Sequence, residues 1–142
     1  MKLRVLFLCT TNTVQSVIAQ ALLEASDPVH FEAFSAGIIR GEMHSLTVEV
    51  MKEIGIDVAD RTARTTDDVI NLPFDFVITL SDPAKTERPD FPGAELIHWQ
   101  FEDLSVISDP DKQLRLFRSL RDQIAQRVRL FVLVQTRFAS AS

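Results

Sequence analysis

Cys9 closes the apolar run "LRVLFL" at residues 3–8 and opens the polar stretch "TTNTVQS" at residues 10–16. A thiol at that point has chemistry available to it. If residues 3–8 are a strand and a helix starts near Ser16, the loop between them presents unsatisfied backbone N–H groups and the positive end of a helix dipole. Successive amides in such a loop form a nest for an anion. The same nest stabilises a thiolate, the reactive form of cysteine. A lone cysteine is ordinarily a small buried apolar residue; its place before Thr10, Thr11, Asn12, Thr13 and Ser16 sets Cys9 apart. Asn12 and Ser16 each suit capping or turn formation as well.

The elements that must position this loop can be read from periodicity. Residues 3–8 suit a buried central strand. Val17, Ile18, Ala21, Leu22 and Ala25 recur at helical spacing from Ser16 to Ala25, until Asp27-Pro28 stops the pattern. Residues 30–36 read as a second strand, closed by Gly37. A second helix is expected over 45–54, with Gly55 as its C′ residue. Residues 65–70 resemble a short capped helix with acids in its first turn. Strands follow at 74–80 and 94–99, and between them the three prolines of "SDPAKTERPDFPG" predict a loop, with Asp82-Pro83 as a turn. Asp109-Pro110-Asp111 marks the start of a long helix whose core stripe is Leu114, Phe117, Ile124, Val128 and Phe131. Strands alternating with helices imply parallel pairing with right-handed crossovers, hence one α/β domain. It is placed at residues 1–134, with a C-terminal tail at 135–142.

Bulk composition narrows the function classes. The chain has 142 residues, 46% hydrophobic and 25% charged, ordinary for a soluble globular protein. A net charge of −5 argues against a nucleic-acid partner. One cysteine excludes an internal disulfide and any multi-cysteine metal site. His30, His44 and His98 lack the close spacing of zinc ligands, so no metal and no cofactor is expected. No stretch approaches a membrane span, and the apolar start is too short for a signal peptide. A cytoplasmic protein is expected.

The stretch from Cys9 to Ser16 resembles the phosphate-binding loop of the low-molecular-weight protein tyrosine phosphatases and the related thiol-dependent arsenate reductases, Cys-x5-Arg-Ser/Thr. Cys9, Asn12 and Ser16 stand at matching positions. The likeness extends over residues 4–131, through Ser35-Ala36-Gly37, "MKEIGIDV" at 51–58 and "HWQFED" at 98–103, the last closer to the reductase branch. It implies a four-stranded parallel sheet flanked by helices, a flavodoxin-like three-layer architecture. It also implies that Cys9 attacks phosphorus or arsenic, with Ser16 in the catalytic group, and that Thr10, Thr11, Asn12, Thr13, Val14, Gln15 and Ser16 hold the oxyanion. Asp103 would protonate the leaving group, although Leu104 follows it where the family usually has proline. The implied partner is a small oxyanion or a phosphorylated substrate.

The departures from that pattern are specific. Gln15 stands where the family has arginine, whose fixed charge and planar fork bind an oxyanion bidentately. Glutamine donates hydrogen bonds but neutralises nothing. Thr11 replaces a common glycine and Gln20 a common glutamate. Ser81 and Arg88 occupy the places of the two relay cysteines of the thioredoxin-linked reductases, so a reductase would need an external thiol such as glutathione. Three readings follow: a weak enzyme of the arsenate reductase or phosphatase type, a non-catalytic descendant that binds an oxyanion or phosphoprotein, and a loop that is merely structural.

Overall fold

The computed structural model describes residues 2–102, 104 and 107–141, with side chains as far as Arg137. Four parallel strands form one sheet in the order β2-β1-β3-β4: β1 (Leu3–Cys9), β2 (Phe31–Gly37), β3 (Phe76–Thr79) and β4 (Glu95–His98). The helices are α1 (Gln15–Ser26), α2 (Ser45–Lys52), α3 (Asp82–Glu87) and α4 (Pro110–Ala141), with a 3-10 turn at Thr66–Asp68.

The apolar run of β1 is buried on both sides because the strand lies inside the sheet, and strand alternation divides its side chains between two cores. Val5, Phe7 and Cys9 face a core shared with α1, α2 and α4, whereas Leu6 and Leu8 pack with Val69, Phe74, Ala84 and Phe91. Three layers result, with Cys9 at the carboxyl end of β1 on the α1 side. Phe117, Leu120, Ile124, Val128 and Phe131 of α4 are buried against that face. Leu114, which heads the stripe read from the sequence, is only partly buried. Ile124→Ala is expected to cost about 3 kcal/mol, from lost burial and the cavity left behind. Urea unfolding checks it: the midpoint should fall while the slope stays unchanged.

Gly55 ends α2 as expected. Its φ is +82°, and its N–H reaches the Lys52 carbonyl while the Ile56 N–H reaches that of Met51, the paired bonds of a Schellman motif. The turn at Thr66–Asp68 carries a capping box between Thr65 and Asp68. Helix α4 runs on to Ala141, through the segment placed in a tail.

The proline-rich stretch after β3 differs from expectation. It holds α3, in which the Ser81 Oγ accepts from the Ala84 N–H at 3.3 Å and Pro83 lies in the first turn. Ser81-Asp82-Pro83 is therefore a helix start rather than a turn. Ala84, fully buried against the sheet, decides between the two.

Arg118 and Arg121 clamp α4 to α2 through Glu53, at 2.6 Å and 2.9 Å, and Arg121 also donates to the Val50 carbonyl at 2.9 Å. The Arg118 hydrogen bonds hold the Glu53 carboxyl below the usual carboxylate range. Its share of stability is thus present above the unfolded carboxylate pKa and lost as pH falls through the folded one. The clamp bears on function because α2 supports the loop after β1.

Candidate active site

The loop at residues 10–14 turns the chain from β1 into α1, and its shape is held by side chains the loop itself carries. Asn12 has φ +57°, a left-handed conformation that asparagine tolerates better than most residues. Its Nδ2 donates to the Ser16 Oγ at 2.8 Å, and its Oδ1 accepts from the Arg64 N–H at 2.8 Å. The Ser16 Oγ lies 2.8 Å from the Cys9 Sγ. Because that oxygen already accepts from Asn12, its own hydrogen is left to donate to sulfur, an arrangement suited to a sulfur anion. Cys9, Asn12 and Ser16, seven residues apart end to end, thus form one buried unit. Asn12→Ala removes both bonds and the residue that tolerates this backbone, and is expected to cost about 2 kcal/mol in stability, read by thermal unfolding.

Neighbouring elements brace the loop. The Thr47 hydroxyl of α2 donates to the Thr13 carbonyl at 2.8 Å. Thr10 donates to the Ser81 Oγ at 3.1 Å, and the Thr11 and Thr13 hydroxyls meet at 2.8 Å. Beyond β2 the chain runs beside the loop, with the Ile38 and Ile39 N–H groups bonded to the Cys9 and Thr10 carbonyls. A Cβ at Gly37 would lie 2.6 Å from the Thr11 carbonyl carbon and 2.7 Å from the Asn12 nitrogen. Gly41 plays the same part for the Thr11 side chain, whose Cβ is 2.8 Å from where a Cβ at Gly41 would fall.

Helix α1 begins without a side-chain cap: Val14 holds the cap position, and the Ile18 N–H makes the bond to its carbonyl at 3.0 Å. The N–H groups of Gln15, Ser16 and Val17 precede that bond, at the end of the helix where its dipole is positive. Gln20 has a structural task. Its Nε2 donates to the Ala33 carbonyl at 3.1 Å and its Oε1 accepts from the Ser35 hydroxyl, joining α1 to β2. A carboxylate there could accept from Ser35 but could not donate to Ala33.

Over the loop lies a cleft of about 470 Å³, lined by Thr10, Thr11, Thr13, Val14 and Gln15 on one side and by residues of α3, α4 and the segment after β4 on the other. Cys9, which precedes Thr10 in the chain, is itself 1% exposed and is not among the lining residues. Asp82 and Glu102 line the cleft, and no lysine or arginine does among the described residues. His44 is its one imidazole. The Nδ1 accepts from the Leu46 N–H at 3.1 Å, so Nε2 carries the proton, and the ring packs on Phe117 with centroids 4.8 Å apart. Arg88 is not among the lining residues; it donates to the Pro89 carbonyl at 3.3 Å. Asp103 lies outside the described residues.

The structure therefore brings Cys9, Asn12 and Ser16 together and sets Thr10, Thr11, Thr13, Val14 and Gln15 around the opening. Thr47, the Arg64 backbone and Ser81 were missed as supports. Only Ser81 left a signal, the serine of a helix-start signature before Asp82-Pro83.

A family profile described as low molecular weight phosphotyrosine protein phosphatase matches residues 4–137. An arsenate reductase of Halalkalibacterium halodurans is 33% identical over 88% of this chain and 91% of its own. A solved arsenate reductase in the phosphate binding state superposes with TM-score 0.79 at 27% identity, covering 94% of this chain and 98% of that one. The thioredoxin-dependent arsenate reductase of Corynebacterium glutamicum superposes with TM-score 0.75 at 30% identity, covering 96% of this chain and 63% of that one.

Proposed function

The chain belongs to the low molecular weight phosphotyrosine protein phosphatase family, within which its relatives include arsenate reductases, and from that premise we propose that Cys9 is the nucleophile toward an oxyanion, arsenate or a phosphate ester, with activity lowered by Gln15. The observation that carries this reading is the buried Cys9–Ser16–Asn12 unit at an uncapped helix start. Backbone amides of residues 10–16 receive the oxyanion, and Ser16 steadies the sulfur.

With a phosphate ester, a sulfur–phosphorus bond forms as the bond to the leaving oxygen breaks, and Asp103 gives that oxygen its proton. Water then releases phosphate. With arsenate, sulfur displaces water from arsenic. An external thiol next attacks Cys9, the electron pair of the sulfur–arsenic bond reduces As(V) to As(III), and a mixed disulfide remains for a second thiol to open. Glutathione or a thioredoxin-like dithiol fits that part, since Cys9 is the only cysteine of the chain.

Turnover of arsenate with glutathione or thioredoxin, and of an aryl phosphate, tests the reading against Cys9→Ser. Activity lost in the variant supports it; activity retained overturns it. Asp103→Asn should slow an ester with a poor leaving group more than one with a good leaving group, because only the former needs the proton. Equal slowing would contradict the acid role.

A second reading is a non-catalytic descendant that binds an oxyanion or a phosphoprotein. It draws on Gln15 and on a cleft without lysine or arginine among the described residues. Anion affinity without turnover selects it.

A further inference from the structure

Among the described residues, the charge of the cleft beside the loop after β1 is opposite to what an oxyanion alone would call for. Asp82, on the first residue of α3, has a side chain 75% exposed, and Glu102, in the segment after β4, is exposed as well. Both line the opening together with the neutral Gln15, and no lysine or arginine joins them among the described residues. His98 lies near Asp82, at 3.7 Å, but its two ring nitrogens engage the Thr79 hydroxyl and the Gln100 side-chain oxygen at 2.8 Å and 2.9 Å. Phe101, Leu104 and Phe117 give the same cleft an apolar part. A carboxylate beside a bound dianion repels it, and low-dielectric walls strengthen the repulsion.

We propose that this cleft selects ligands that carry a cationic group, such as an ammonium, a short apolar stem away from the group delivered to Cys9. Asp82 and Glu102 are then specificity-determining residues: they attract the cation, the aromatic and leucine walls cover the stem, and the amides of residues 10–16 take the anionic or electrophilic end. The inference rests on the oxyanion reading of the loop for the identity of that end. The charge preference itself is a property of the path to the sulfur.

Two methanethiosulfonates of similar size, one ending in trimethylammonium and one in sulfonate, test that path. Each forms a mixed disulfide with Cys9 and releases methanesulfinate, and intact mass reports the rate because the chain has one cysteine. Relative to a small free thiol, wild type should prefer the cationic reagent by roughly tenfold at low salt, less at high salt. Asp82→Asn with Glu102→Gln should remove most of that preference. Glu32→Gln with Glu95→Gln removes the same charge near the amino ends of β2 and β4, the opposite end of the sheet from the loop, and should leave it in place. No preference, a preference lost equally in both double variants, or a Cys9 that reacts with neither reagent overturns the proposal. Failure of the oxyanion reading shows separately, as absence of Cys9-dependent turnover. Where turnover is present, an ammonium-bearing phosphate ester should exceed its neutral counterpart in kcat/KM, and equality overturns the proposal.

Discussion

Gln15→Arg should raise kcat/KM for an aryl phosphate or for arsenate by on the order of 10²-fold, about 2.7 kcal/mol of transition-state stabilisation. In the proposed reaction the transition state would spread negative charge over oxygens at the loop, and among the described residues the cleft offers only neutral donors against it. Position 15 is the first residue of α1, beside the loop amides, so a guanidinium there would face the same oxygens with a planar fork. Charge-stabilising arginines in other phosphoryl-transfer enzymes are worth roughly 10³–10⁵, and the lower figure reflects two features of this chain. Asp82 and Glu102 would compete for the new cation, and Gln20 is committed to Ala33 and Ser35 instead of being free to orient it. The measurement is kcat/KM for wild type and variant under identical conditions, with thermal unfolding to show that both are folded. A folded variant with no gain would move the protein to the binding reading. A gain that vanishes when Cys9→Ser is added would tie the recovered rate to the sulfur.

Gly37→Ala should be the most damaging of the four glycine-to-alanine changes, costing about 3 kcal/mol and lowering Tm by roughly 10 °C. Gly37 is paired with Cys9 at the end of the β1–β2 ladder, and the added Cβ would meet backbone of Thr11 and Asn12, not the movable end of a side chain. Relief requires the loop to shift, which pulls Asn12 from Ser16 and from the Arg64 N–H. Any turnover should therefore fall more than the loss of stability explains, measured well below the lowered Tm. Normal stability with unchanged turnover would show that the loop tolerates a displacement of several tenths of an ångström. Gly55→Ala is a useful contrast: nothing lies within 4 Å of its added Cβ, so only the strain of a positive φ is felt, far from the site.

What the amino-acid order determined by itself was local or periodic. The buried strand before Cys9, the amphipathic helix after it, the glycine closing α2 and the Asp-Pro start of α4 were all legible, because period and capping chemistry act within a few residues. The grouping of Cys9, Asn12 and Ser16 came from the resemblance to a phosphate-binding loop, and the fold joins the three by hydrogen bonds while Arg64, 52 positions on, holds Asn12. The tertiary structure decided what depends on distant partners. Asp82-Pro83 reads from the sequence as a turn, and with Ala84 docked on the sheet it is a helix start instead. Thr47 reaches Thr13 across 34 positions and Ser81 reaches Thr10 across 71, contacts that no spacing rule announces. Gln20 looked like a lost carboxylate until the Ala33 carbonyl appeared as an acceptor needing a donor. The charge of the cleft is likewise a sum over α3, the loop after β1 and the segment after β4, and only folding brings those three together.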